Sequence, residues 1–127
     1  MFEYQFNVRG YELDSNGHAN HAVYLNYFEQ ARWELLRETN LMQFLDDHEI
    51  SPVVIEVNIR YSREVNIFDE MVIRSNVRKA SPYLIFDQKM YFKDSNTRAC
   101  SATVKVIFTG KGRLVRDIPE EITEKLT

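Results

Sequence analysis

The stretch Asp14-Ser-Asn-Gly-His-Ala-Asn-His21 gathers a carboxylate, two amides, a glycine and two of the chain's three histidines immediately before a strongly apolar run. Titratable and amide groups crowded into a turn that ends at a helix N-terminus can hold an attacking group beside a ready-made anion site. Asn20 suits an N-cap: its side-chain oxygen can accept from the Val23 amide, leaving the His21 and Ala22 amides directed out of the helix. Those N–H groups, at the positive end of a helix dipole, would stabilise an oxyanion forming on a carbonyl. Asp14, one short loop earlier, is near enough to attack that carbonyl or to deprotonate a water. Gly17 lets the loop bend tightly and lets a substrate approach the backbone. An attacking group and an oxyanion site are what acyl transfer needs. The same residues also read as an ordinary turn and cap. His18 and His21 with Asp14 offer a metal reading, but zinc sites show a clearer set of three or four ligands, so no metal is expected.

Other chemistries find less support. There is no Gly-x-Ser-x-Gly elbow, Walker loop or dinucleotide fingerprint, and no cofactor is expected. His48, between Asp47 and Glu49, reads as a surface residue. Cys100 is the only cysteine, which excludes an intrachain disulfide and suits a reducing compartment. A net charge of -3 argues against a nucleic-acid partner. The N-terminal Met-Phe-Glu-Tyr-Gln-Phe lacks the basic start and apolar run of a signal peptide, and no stretch approaches the ~18 apolar residues of a membrane span. A cytoplasmic protein of one domain over residues 1–127 is the expectation.

The elements that must position the loop follow from periodicity. Residues 2–9 alternate loosely and predict a strand. From Ala22 to Leu36 the stripe Tyr24, Phe28, Ala31, Leu35 has helical spacing, and Val23, Leu25 and Tyr27 widen it, so this helix should be wrapped by other structure. A shorter helix is expected around Leu41 to Asp47. Beyond Ser51 the period becomes two: Val53, Ile55, Val57, Ile59 and Tyr61 are expected on one face, with Glu56, Asn58, Arg60 and Ser62 on the other. Met71, Ile73 and Val77 mark a further strand; Leu84, Phe86, Met90 and Phe92 another; Cys100, Ala102, Val104, Val106 and Phe108 a last one. Asp94-Ser-Asn-Thr97 should turn between the last two. Pro119 with Glu120 and Glu121 predicts a short C-terminal helix. The order is α+β, an antiparallel sheet curved around a helix. Val54, Val72, Ile85 and Ile107, assigned to the other face of the sheet, favour burial against another copy.

With these residues in view, the chain resembles the hotdog-fold thioesterases, specifically the 4-hydroxybenzoyl-CoA thioesterase-like acyl-CoA thioesterases. The likeness lies in Arg9-Gly-Tyr-Glu-Leu-Asp14-Ser-Asn-Gly-His18-Ala-Asn-His21-Ala-Val-Tyr24, then Tyr27-Phe-Glu and Ala31-Arg. It continues through Tyr61-Ser-Arg63, Phe68-Asp69, Gly112-Arg113 and Ile118-Pro-Glu120, covering almost the whole chain. The resemblance implies a curved antiparallel sheet wrapped around one long central helix, and hydrolysis of an acyl-CoA to free acid and CoA. It assigns Asp14 as nucleophile or general base, and His21 as the helix-start residue whose backbone amide faces the thioester carbonyl. Asn16 and His18 resemble the catalytic network of plant-type acyl-carrier-protein thioesterases, although Arg60 stands near where that branch has a glutamate. Gly17 and Tyr24 would border the substrate. The family's enzymes are homodimers or homotetramers with active sites at subunit boundaries. The substrate would be an acyl-CoA, with an acyl-carrier protein as a further partner. Two other readings stay open: a non-catalytic acyl-binding or carrier-protein-binding module on the same fold, and hydration of an enoyl thioester.

Overall fold

The computed structural model describes all 127 residues. The chain runs β1 (Phe2–Asn7), a 3-10 turn (Gly10–Glu12), α1 (Val23–Glu38), α2 (Leu41–Asp47), β2 (Ile50–Tyr61), β3 (Glu70–Ala80), β4 (Tyr83–Phe92), β5 (Arg98–Gly110), β6 (Arg113–Leu114) and α3 (Glu120–Leu126). All strand pairs are antiparallel, in the order β1-β3-β4-β5-β2, with β6 paired to β5. No helix is long and apolar enough to cross a membrane.

The helix buries Tyr24, Tyr27, Phe28, Ala31 and Leu35. These recur at helical spacing, so one stripe of α1 lies against one face of the sheet. That face carries Phe6, Met71, Ile73, Phe86, Met90, Cys100, Ala102 and Val104, all in the same core. Burying Phe28 or Leu35 this completely is worth about 1.5–3 kcal/mol each. A polar clamp adds direction. Gln88 of β4 is fully buried, and its Nε2 donates to the Phe28 carbonyl at 3.1 Å and to Ser75 Oγ at 3.0 Å. A curved sheet around one principal helix is the hotdog arrangement that the resemblance implies. The helix is less enclosed than its composition suggests, since Leu25 and Trp33 remain exposed on its flank.

Two expectations fail, for identifiable reasons. In β2 the register shifts between Val54 and Glu56, leaving Ile55 as an extra residue. Such a bulge breaks simple alternation. Val54 and Val57 therefore pair with the core residues Val106 and Val104, whereas Val53 pairs with Ile107 on the other face. Val54 thus belongs to the inner side, not the outer one. Val72 and Ile85 do lie outside, but they are already covered within the chain. Val72 sits in register between Gln5 and Tyr91, and Ile85 between Arg78 and Lys105. Long neighbours on the same face shield them. The surface that remains unpartnered is instead the edge strand β2, where Val53, Val54, Ile55 and Val57 are exposed.

Candidate active site

The loop between β1 and α1 is held from both ends. The Ala19 amide donates to the Val65 carbonyl at 2.7 Å, and the Asn20 amide to the Glu12 carbonyl at 2.9 Å. Within it, the Asp14 amide donates to the His18 carbonyl at 2.7 Å and the Gly17 amide to the Asp14 carbonyl at 3.1 Å. This tight turn needs a left-handed residue, and Gly17 supplies it at φ +81°. Asp14 Oδ1 then accepts from the Asn16 amide at 2.9 Å and the His18 amide at 3.2 Å. Those two backbone donors hold the Asp14 carboxyl below the usual aspartate range, with a smaller contribution from His18. Asp14 is exposed, and its Oδ2 accepts no hydrogen bond within the chain.

The start of α1 differs from the expected cap. The N-cap position is Ala22, and no side chain caps the helix. Asn20 Oδ1 accepts from the Ala22 amide at 2.9 Å, while the Val23 amide donates to the Asn20 backbone carbonyl at 2.9 Å. Ala22 is therefore removed as an oxyanion donor, because the short asparagine side chain closes on the amide two residues ahead. The His21 amide makes no hydrogen bond within the chain.

Asp14, His18, His21 and Tyr24 line one open cleft with Ala19, Tyr61, Ser62, Arg63 and Glu64. Asn16 and Gly17 do not line it; they shape the turn behind Asp14. The second wall comes from the end of β2. Tyr61 Oη donates to the His21 carbonyl at 2.7 Å, and Glu64 Oε2 lies 3.1 Å from His18 Nε2. Tyr24 is buried, meets the Tyr61 ring edge-on at 4.9 Å between centroids, and has its hydroxyl pushed up to about 12, chiefly by burial. Sequence spacing could not place Ser62 and Glu64 here, since more than forty residues separate them from the loop.

Behind the cleft sits a charged group with no role in the sequence reading. Glu12 is only 6% exposed. Its carboxylate accepts from the Arg9 amide at 2.9 Å, from Arg9 Nε and Nη2 at 3.1 and 2.8 Å, and from Tyr27 Oη at 2.9 Å. Burial pushes its pKa up, but the Arg9 and Tyr27 hydrogen bonds outweigh that and hold it below the ordinary value. Glu12 thereby ties the segment that follows β1 to α1.

With this geometry in view, the comparisons are specific. Residues 8–126 match the family model of the thioesterase-like superfamily. The chain is 39% identical over 75 residues to the long-chain acyl-CoA thioesterase FadM of Escherichia coli, a match spanning 59% of this chain and 57% of that protein. It is 32% identical over 117 residues to the acyl-CoA thioesterase YbgC of Haemophilus influenzae, covering 87% of this chain and 84% of that one. The crystal structure of the probable thioesterase YbaW from Escherichia coli superposes with a TM-score of 0.93 at 25% identity, covering 100% of both chains. Fold and sequence agree: this chain belongs to the thioesterase-like superfamily.

Proposed function

We propose that the chain hydrolyses the thioester of an acyl-CoA, releasing a free carboxylic acid and CoA. The observation that carries this reading is the free Oδ2 of an ionised Asp14 in the same open cleft as His21, whose backbone N–H lacks a partner. Asp14 is the reacting carboxylate, and the His21 amide holds the charge that develops on the thioester oxygen. Asp14 either attacks the carbonyl carbon, expelling the CoA thiolate to leave a mixed anhydride that water hydrolyses, or takes the proton of a water that makes the same attack and expels the same thiolate. His18 and Tyr24 border the reacting group, whereas Asn16 acts through the amide that fixes Asp14. An acyl-carrier protein is a further acyl donor. The site of action is the cytoplasm, in keeping with the one unpaired, buried cysteine.

The test is release of thiol from a panel of short aliphatic, long aliphatic and aromatic CoA esters. Turnover of at least one class is expected. Binding of the esters without thiol release would favour a non-catalytic acyl-binding module.

We further propose a homodimer or homotetramer. Its support is the twelve-residue edge strand β2, whose unpaired backbone and exposed apolar side chains invite another strand. Light scattering should give a mass of two or four times 15.1 kDa; a concentrated solution that stays monomeric would refute it.

A further inference from the structure

A second hollow lies between α1, α2, β2 and α3. Trp33, Leu36, Leu45, Phe86, Phe108 and Leu126 form much of the apolar wall of this hollow, which has a volume of about 170 Å³ and is partly open to solvent. It shares no lining residue with the Asp14 cleft. Along α1, Tyr24 of the cleft and Arg32 of the hollow are separated by about 12 Å of helix.

Arg32 is the one cation on this wall, and Glu29 is its one acid. It is half-buried, and its Nη1 donates to Gln88 Oε1 at 3.0 Å. Since Gln88 is itself locked to Phe28 and Ser75, the guanidinium is held in place. None of the chain's ion pairs includes Arg32. Glu29 is the acid whose charge reaches it, yet the Glu29 carboxylate accepts from Trp33 Nε1 at 3.4 Å instead. No Arg32 nitrogen is fully buried without a partner, so the donors that Gln88 leaves unused retain access to solvent. A cation partly withdrawn from water beside apolar walls, with a carboxylate nearby but none in direct contact, has an incomplete set of partners. Its planar fork matches a carboxylate in two-point geometry.

We propose that this hollow binds a free aliphatic carboxylate, its headgroup paired with Arg32 and its chain laid along the apolar wall. The charge and the apolar lining together select this occupant over a neutral lipid or a short polar acid. That such a molecule is also the enzyme's product class rests on the thioester-hydrolase reading; the binding itself does not.

Trp33 is the only tryptophan, so its fluorescence reports on the hollow directly. The full chain, without any thioester, is titrated with decanoate, decan-1-ol and acetate. Decanoate should give a saturable change at least tenfold tighter than decan-1-ol, and acetate none. Arg32→Gln should bring decanoate down to the level of the alcohol, and Arg32→Lys should recover part of the difference. Equal binding of acid and alcohol to the unaltered protein would overturn the proposal, and that comparison does not depend on whether Arg32→Gln folds. So would unchanged decanoate binding by a folded Arg32→Gln, or no saturable signal at all, as when a second copy of the chain fills the hollow. Because no thioester is present, failure here leaves the thiol-release result untouched, and failed thiol release leaves this result untouched.

Discussion

Asp14→Asn is expected to lower turnover of an acyl-CoA by about 10³-fold, the scale for removing a reacting group. The fold should be unaffected. An asparagine retains Oδ1, which accepts from the Asn16 and His18 amides and shapes the turn, and replaces only the free Oδ2. Unchanged thermal unfolding together with lost thiol release is therefore the expected result; near-normal hydrolysis would remove Asp14 from the mechanism. His21→Ala should be far milder, within about tenfold, because the proposed donor is the backbone amide. A loss as severe as that of Asp14→Asn would assign a role to the imidazole. The pH profile follows from the same geometry. The two amides hold Asp14 below the ordinary value of 3.8, so its reactive ionised form persists through neutral pH. Any acid limb caused by Asp14 should lie below 3.8, and a limb near neutrality would have to come from another group.

Glu12→Ala should produce a large loss of stability, about 2–4 kcal/mol at neutral pH. For a domain with a total of about 5–15 kcal/mol, that is a large fraction. The cause is uneven. Arg9 is half exposed and returns to water, but the Tyr27 hydroxyl loses its acceptor inside the protein. The melting temperature should fall by about 10 °C. The effect should depend on pH in a defined sense. The folded-state pKa of Glu12 lies below the ordinary 4.5. Its contribution is thus fully present above 4.5 and disappears as the pH falls through the lower, folded value. Urea unfolding of both proteins at neutral pH and in increasingly acid buffer should show the gap narrowing on acidification. A constant gap would mean that packing, not the ionised carboxylate, makes the contribution.

Much of this architecture was legible in the order of residues because burial on one face imposes a period. The stripe from Tyr24 to Leu35 located α1 to within a few residues, and the apolar series in β3, β4 and β5 marked buried positions. Local chemistry was legible too, since the turn at Asp14 and the helix start are close in sequence. What spacing could not carry were contacts made at long range or against the pattern. Gln88 is a polar residue on the inner face, visible only once Phe28 and Ser75 are seen to satisfy it. Glu12 carried no signal of its own in the sequence, although Arg9 three residues earlier is its partner. Asn20 had the right side chain for a cap but closed on Ala22, a choice settled by local backbone conformation. In β2, strict alternation put Val53 inside and Val54 outside; the extra residue at Ile55 reversed both.

That extra residue has a consequence for the company the molecule keeps. A long, flat, greasy border is a template for indiscriminate stacking, the route to amyloid-like aggregates. Here the register shifts at Ile55, and a bulge of this kind generally bends a strand and increases its local twist. A straight foreign segment cannot follow that course for its full length. One inserted residue is thus expected to disfavour misassembly while leaving the backbone available to a shape-matched neighbour.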